Sequence, residues 1–189
     1  MKRILLVNAC ARPGSRTMEL AREVLKKVDG AVEELRLYDV SLSALDLAGM
    51  EKRGQAAQNR DFSHTDFDLA KQFAAADVIV IAAPYWDMMF PAILKTYLEN
   101  ITVSGVTFRY SDRGIPESLC NAKSLYYVTT SGGYIGENDF GFVYVNALAQ
   151  NFFGIADVKR YTAEGLDIYG ADVASIMEKA KLSIVADFQ

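Results

Sequence analysis

Short apolar runs alternate along the chain with stretches of helical spacing. Arg3–Asn8 holds the unbroken run Ile4-Leu5-Leu6-Val7 and predicts a strand buried on both faces. From Thr17 to Val28, Leu20, Val24, Leu25 and Val28 fall on one stripe, which predicts a helix. Val32–Asp39 alternates and predicts a strand nearer the sheet edge. Ser41–Thr65 is polar and irregular, with room for one amphipathic piece. Asp66–Ala76 predicts a helix, and Asp77–Pro84 is the clearest buried strand. Pro91–Ile101 is helical, with Pro91 suited to the first turn. Ser124–Thr130 predicts a fourth strand and Phe140–Phe153 a helix. A fifth strand falls within Asp157–Gly165, and a closing helix over Val173–Ala186.

Strands of this kind, each followed by a helix, predict an α/β chain. The expected architecture is a doubly wound, five-stranded parallel sheet of order 2-1-3-4-5. No repeat or low-complexity segment interrupts it, so residues 1–189 are expected to form a single domain. In such sheets ligands bind beyond the carboxyl ends of the strands, where the strand order reverses. That rule singles out the loops after Val7, after Ala82 and after Val128.

The first loop, "NACARPGSRT", runs from Asn8 to Thr17. A helix start exposes unpaired N–H groups and a positive dipole end, so phosphate is a natural ligand there. Ser15 and Thr17 add hydroxyls; Arg12 and Arg16 add charge. The simpler reading is that Ser15 or Thr17 caps the helix and the arginines are solvated. Neither GxGxxG nor GxxxxGK[ST] is present, so a Rossmann fingerprint and a P-loop are both excluded. The second loop crowds Tyr85, Trp86, Met88, Met89 and Phe90 behind Pro84. Aromatic and thioether groups suit the face of a flat heterocycle, or equally a subunit interface. The third loop, "TTSGGYIGEND", offers Thr130 and Ser131 hydroxyls beside Gly132 and Gly133, where a backbone can approach closely. An ordinary glycine turn would look the same. Taken together, one phosphate loop and two loops for a flat ring fit FMN, which this class of sheet holds.

Composition narrows the chemistry. The 51% hydrophobic content supplies a full core, and the formal net charge of −4 gives no general attraction to nucleic acid or an anionic membrane. Two cysteines make no disulfide scaffold, and one histidine leaves no zinc site and no histidine triad; no metal is expected. Cys10, close to a helix start, reads as a small buried residue rather than a reactive thiol. The N-terminus lacks the longer apolar region of a signal peptide, and no run approaches the roughly 18–20 residues of a membrane span. A cytoplasmic protein is expected.

Over most of its length, from about Met1 to Gly170, the chain resembles the FMN-dependent NADH-azoreductases. These sit within the wider flavodoxin-like NAD(P)H:quinone oxidoreductase group. The marks are "NACARPGSRT", "PYWDMMFPAILKTYLENITVSGVTFRY", "TTSGGYIG" and "FFGIADVKRYTAEGLDIYG". The spacing P(x)6PxxLKxYxE, followed by "GVTFRY", is the most specific. Ser41–Thr65 matches poorly.

The resemblance implies a flavodoxin-like fold and two-electron, ping-pong hydride transfer from NADH or NADPH to quinones or azo compounds. It implies that Ser15, Arg16 and Thr17 hold the FMN phosphate, and that Pro84, Tyr85, Trp86, Asp87 and Met88 line the ring and ribityl chain. Thr130, Ser131, Gly132 and Gly133 would approach the pyrimidine edge. Trp86, Met88, Met89 and Tyr134 would form the slot for flat acceptors. No protein side chain acts as a catalytic nucleophile or base, since the chemistry lies on the flavin. A homodimer with its site at the subunit interface is implied, and Gly105–Pro116 is implied to form a flap. The chain departs from the family pattern at Ala9, Asp87 and Ser131, where serine, asparagine and arginine are common. The other classes considered are an FMN electron carrier without NAD(P)H turnover and a binding protein that has lost the cofactor.

Overall fold

The computed structural model describes all 189 residues. In chain order the elements are β1 (Arg3–Asn8), α1 (Arg16–Leu25), β2 (Ala31–Arg36), α2 (Leu47–Asn59), α3 (Asp68–Ala75), β3 (Val78–Ala82), α4 (Ala92–Ile101), β4 (Phe108–Tyr110), β5 (Pro116–Ser118), β6 (Ser124–Thr130), α5 (Phe140–Asn151), β7 (Asp157–Ala163) and α6 (Val173–Asp187). The main sheet has the order β2-β1-β3-β6-β7, and every pairing in it is parallel. Counting only these five strands, this is the expected 2-1-3-4-5 arrangement.

Alternation along the strands divides the core. Leu5, Val7, Ile79 and Ile81 face one side and pack with Phe73, Leu94, Tyr97 and Val145 of α3, α4 and α5. Ile4, Leu6, Val78 and Val80 face the other and pack with Leu20 and Val24 of α1 and Met177 and Ile184 of α6. Helices on both faces explain why β3 is wholly apolar and why β1 is apolar between Arg3 and Asn8. They also place α1 and α4 on opposite sides of the sheet at the β1–β3 boundary.

The differences from expectation have local causes. Residues Val32–Asp39 do not all form strand: β2 ends at Arg36, and Leu37–Asp39 makes one turn of 3-10 helix. Leu37 is fully buried in that turn, so the apolar alternation continues after the backbone has left the sheet. Pro91 stands at the N-cap of α4 with an extended ψ of 141°, one position ahead of the first turn. Within the polar segment, α2 buries only Ala56 and is started by the Asp46 carboxylate, which accepts the Gly49 N–H at 2.8 Å. β4 and β5 form a separate antiparallel hairpin; β4 lies within the Gly105–Pro116 segment that resemblance marks as a flap, and β5 begins at its last residue. No helix is long and apolar enough to cross a membrane.

Candidate functional site

The carboxyl ends of β1, β3, β6 and β7 each open into a loop, and the four loops are tied to one another. After β1 the Ala9 N–H continues the ladder to Ala82 (2.9 Å), and the Cys10 N–H is held by the Asn8 side chain (2.9 Å). Gly14 takes a φ of +69°, a conformation glycine adopts without strain, and turns the chain into α1. Ser15 is the N-cap residue by backbone geometry, yet its side chain makes no capping hydrogen bond. The first α1 amide with a helical acceptor is that of Glu19, bonded to the Ser15 carbonyl at 3.0 Å. The amides of Arg16, Thr17 and Met18 have no protein acceptor, and the Ser15 hydroxyl caps none of them. Arg12, Pro13, Gly14, Ser15 and Arg16 line an open cavity of about 280 Å³ here. This is the donor set an anion needs.

Cys10 is buried beneath this loop, its thiol directed at the Ala82 carbonyl (3.6 Å). Burial pushes the thiol pKa up, against the opposing pull of the Ser15 and Thr17 hydroxyls. It is a packing residue at a strand end, not a thiolate.

After β3 the ladder runs on: the Ala83 N–H bonds Val128 and the Tyr85 N–H bonds Thr130, both carbonyl contacts at 3.0 Å. Trp86 and Met89 then exchange two hydrogen bonds of 2.8 Å. Between them Asp87 and Met88 have φ of 51° and 66°. Two positive φ values in a two-residue connection are the mark of a type I′ turn, here made without glycine. The tight turn pushes Trp86 and Met88 outward, 39% and 47% exposed. One side of this hairpin is an apolar cavity of about 680 Å³ whose walls include Tyr38, Trp86, Met89, Phe90 and Ile93.

The loop after β6 is clamped at both ends. The Tyr85 hydroxyl donates to the Asn138 carbonyl at 2.9 Å. Burial, then the Asp139 and Glu164 carboxylates, raise the Tyr85 phenol pKa and keep it a donor. Asp139 is itself buried; it caps α5 by accepting the Phe142 N–H (2.9 Å) and pairs with Arg160. At the other end, Thr130 and Thr17 meet hydroxyl to hydroxyl at 2.6 Å.

The fourth loop, after β7, carries residues that sequence reasoning gave no role. Residues 165–167 run alongside residues 131–133 and pair with them through main-chain groups alone. Gly165 N–H bonds Gly133 at 3.0 Å, Leu166 N–H bonds Ser131 at 3.1 Å, and Asp167 N–H bonds Gly132 at 2.9 Å. A Cβ on Gly132 would lie 2.5 Å from Oδ2 of Asp167, so any side chain there would push that carboxylate aside. Arg16 reaches across to the same loop, forming an ion pair with Asp167 at 2.9 Å. Gly165, with a φ of +75°, was the available signal.

This architecture matches a family model described as a flavodoxin-like fold over residues 2–187. The chain belongs to that flavodoxin-like family. Among its relatives, FMN-dependent NADH:quinone oxidoreductase 2 of Clostridium acetobutylicum is 34% identical, over 96% of this chain and 97% of the relative. The FMN-dependent NADH:quinone oxidoreductase of Clostridium beijerinckii is 32% identical over 95% and 94%. The azoreductase structure from Bacillus anthracis str. Sterne superposes with a TM-score of 0.85 at 23% identity, covering 100% of this chain and 99% of that one. An FMN-dependent NADH-azoreductase from Bacillus anthracis str. Ames Ancestor, solved in complex with FMN, superposes with a TM-score of 0.80 at 20% identity, over 100% and 98%. At those identities the superpositions establish the flavodoxin-like fold.

Within the flavodoxin-like frame, the residues singled out from sequence divide into groups. Ser15, Arg16 and Thr17 sit together at the start of α1, with Thr17 joined to Thr130. Pro84, Tyr85, Trp86, Asp87 and Met88 form the arm and turn after β3. Ser131, Gly132 and Gly133 pair with the fourth loop. Tyr134 lies over Gly165 beside Ile168 and is 79% exposed; like Met88, it does not line the cavity that Trp86 and Met89 share.

Proposed function

We propose that this chain holds FMN across these loops and uses it to pass electrons from NADH to quinones or azo compounds. The observation that carries the reading is the start of α1. Its free amides and uncapped Ser15 hydroxyl form an anion cradle on the sheet edge that also presents Trp86, Met88 and a closely approachable Gly132–Gly133 backbone. The chemistry of the donor set fits a phosphate at one end and a flat ring at the other. The relatives' names point the same way.

When bound, FMN supplies a ring that takes hydride from reduced nicotinamide and gives two electrons to an acceptor in a separate step. The protein's part is to bind, orient and shield. Ser15, Arg16 and Thr17 would hold the phosphate. Pro84, Tyr85, Trp86, Asp87 and Met88 would line the ring and ribityl chain, and Thr130, Ser131, Gly132 and Gly133 the pyrimidine edge. Trp86, Met88, Met89 and Tyr134 would offer apolar surface to nicotinamide and acceptor in turn. No protein nucleophile is needed.

A homodimer belongs to the same reading. Helix α5 leaves Phe140 and Val143 more than half exposed at helical spacing, an unpartnered apolar stripe that supports pairing with a second copy. Residues 1–189 act as one domain in this reading, since both sheet faces share the same strands. An enzyme that draws on NADH works where NADH is, so the cytoplasm is the compartment proposed.

The test is a visible spectrum of the protein after loading with FMN and desalting, repeated anaerobically with NADH and then with a quinone. A retained flavin band that bleaches with NADH and returns with quinone is expected. A retained band that NADH and NADPH both leave unchanged would make the chain an electron carrier. Failure to retain flavin would overturn the reading.

A further inference from the structure

Arg16 is not a free cation. Its Nη2 lies 2.9 Å from Oδ1 of Asp167, and its Nη1 donates to the Leu166 carbonyl at 3.2 Å. The same carboxylate rests against Gly132, where an added Cβ would lie 2.5 Å from its Oδ2. Asp167 therefore bridges the start of α1 and the Gly132–Gly133 turn. Those are the two ends of the surface assigned above to phosphate and ring. It is an anion seated where a phosphate has to find positive charge.

Resting on the FMN reading, we propose that Asp167 is an affinity-determining residue, the resident counter-anion of Arg16 that the cofactor phosphate displaces. The geometry permits the exchange without moving backbone. The Asp167 amide is held by Gly132 and the Leu166 amide by Ser131, so the carboxylate can rotate away while the loop stays paired. The ion pair is also solvent-accessible, with side-chain exposures of 30% for Arg16 and 66% for Asp167. Pairs of that kind are weak and break readily. The penalty falls on the phosphate alone: riboflavin, which has the same ring and no phosphate, does not compete for Arg16.

The experiment is fluorescence titration of apo-protein with FMN and with riboflavin, for wild type, Asp167→Asn, Asp167→Glu and Asp29→Asn. Asp29 is exposed in the turn between α1 and β2, away from the loops at the carboxyl ends of the strands, and controls for the change in net charge. Asp167→Asn is expected to bind FMN about two- to fivefold more tightly, the factor a released exposed ion pair allows. Riboflavin affinity stays unchanged, and the gain shrinks in concentrated salt. Asp167→Glu returns affinity toward wild type, and Asp29→Asn matches wild type. Unchanged or weaker FMN binding by Asp167→Asn would overturn the proposal, weaker binding making Asp167 a positioner of Arg16. An equal gain for riboflavin would also overturn it. A wild-type protein that binds riboflavin as tightly as FMN would instead overturn the phosphate cradle itself.

Discussion

The hydroxyls of Thr17 and Thr130 meet at 2.6 Å, both residues almost fully buried, and so join the first turn of α1 to the last residue of β6. One hydroxyl donates and the other accepts. Removing one partner leaves the other buried and unpaired. Thr130→Val is expected to cost about 1–3 kcal/mol in urea unfolding, and Thr17→Val/Thr130→Val together less than the sum. Additive losses in this cycle would show that the two hydroxyls are not coupled.

Ser15 and Asp172 occupy the same formal position on their helices but do different work. Asp172 accepts the Ser175 N–H at 3.0 Å, whereas Ser15 caps nothing. Asp172→Ala should lower stability by about 1 kcal/mol and Ser15→Ala by less than about 0.5 kcal/mol. FMN affinity should show the reverse order, with Ser15→Ala weakening it about tenfold or more, as for a hydrogen bond to a charged group. Thermal melts and flavin titrations on the same two variants decide it.

Met88, at a φ of 66°, holds a left-handed conformation that a side chain disfavours. Met88→Gly should therefore stabilise the fold by about 0.5–1 kcal/mol, while β-branched Met88→Val should destabilise it. The gain in stability should come with loss of acceptor binding, because Met88 is one of the apolar groups the turn pushes outward. Unfolding midpoints and the KM for a quinone separate the two effects.

Cys120 is largely buried behind the β4–β5 hairpin with its thiol directed at the Thr107 carbonyl (3.3 Å). Burial raises its pKa from 9.0 to about 12. Between those values the unfolded chain has lost a proton that the folded chain keeps, so stability falls as pH rises. The slope approaches about 1.4 kcal/mol per pH unit for one such group. Cys120→Ala should flatten the decline between pH 9 and 10, read from urea midpoints. The burial-raised phenols of Tyr97 and Tyr127 act in the same direction at higher pH.

How much of this was legible depended on whether side chains or main chain carried the feature. β1 and β6 match their predicted limits because an unbroken apolar run has only one way to be buried on two faces. β2 was drawn three residues too long because Leu37 is buried by a turn as completely as by a strand. α2 left no apolar stripe, since it buries one alanine; Asp46 was the readable sign. At the site, the first three loops announced themselves through hydroxyls, aromatics and glycines. The fourth was missed because its three bonds to residues 131–133 are all between main-chain groups, which no residue type signals. The turn at Asp87–Met88 was hidden for the opposite reason: its sequence lacks the glycine that such turns normally display.

The main-chain pairing of residues 131–133 with 165–167 has an evolutionary consequence. A rim stitched together by peptide groups keeps its shape whichever side chains it bears. Tyr134, Ile168 and Tyr169 project from it, Tyr134 and Tyr169 almost wholly into solvent, with no bond of the rim depending on them. Selection can therefore exchange these positions for new acceptors one at a time, at little risk to folding. Gly132 is the position in the rim where a new side chain would first have to displace a neighbour, the Asp167 carboxylate.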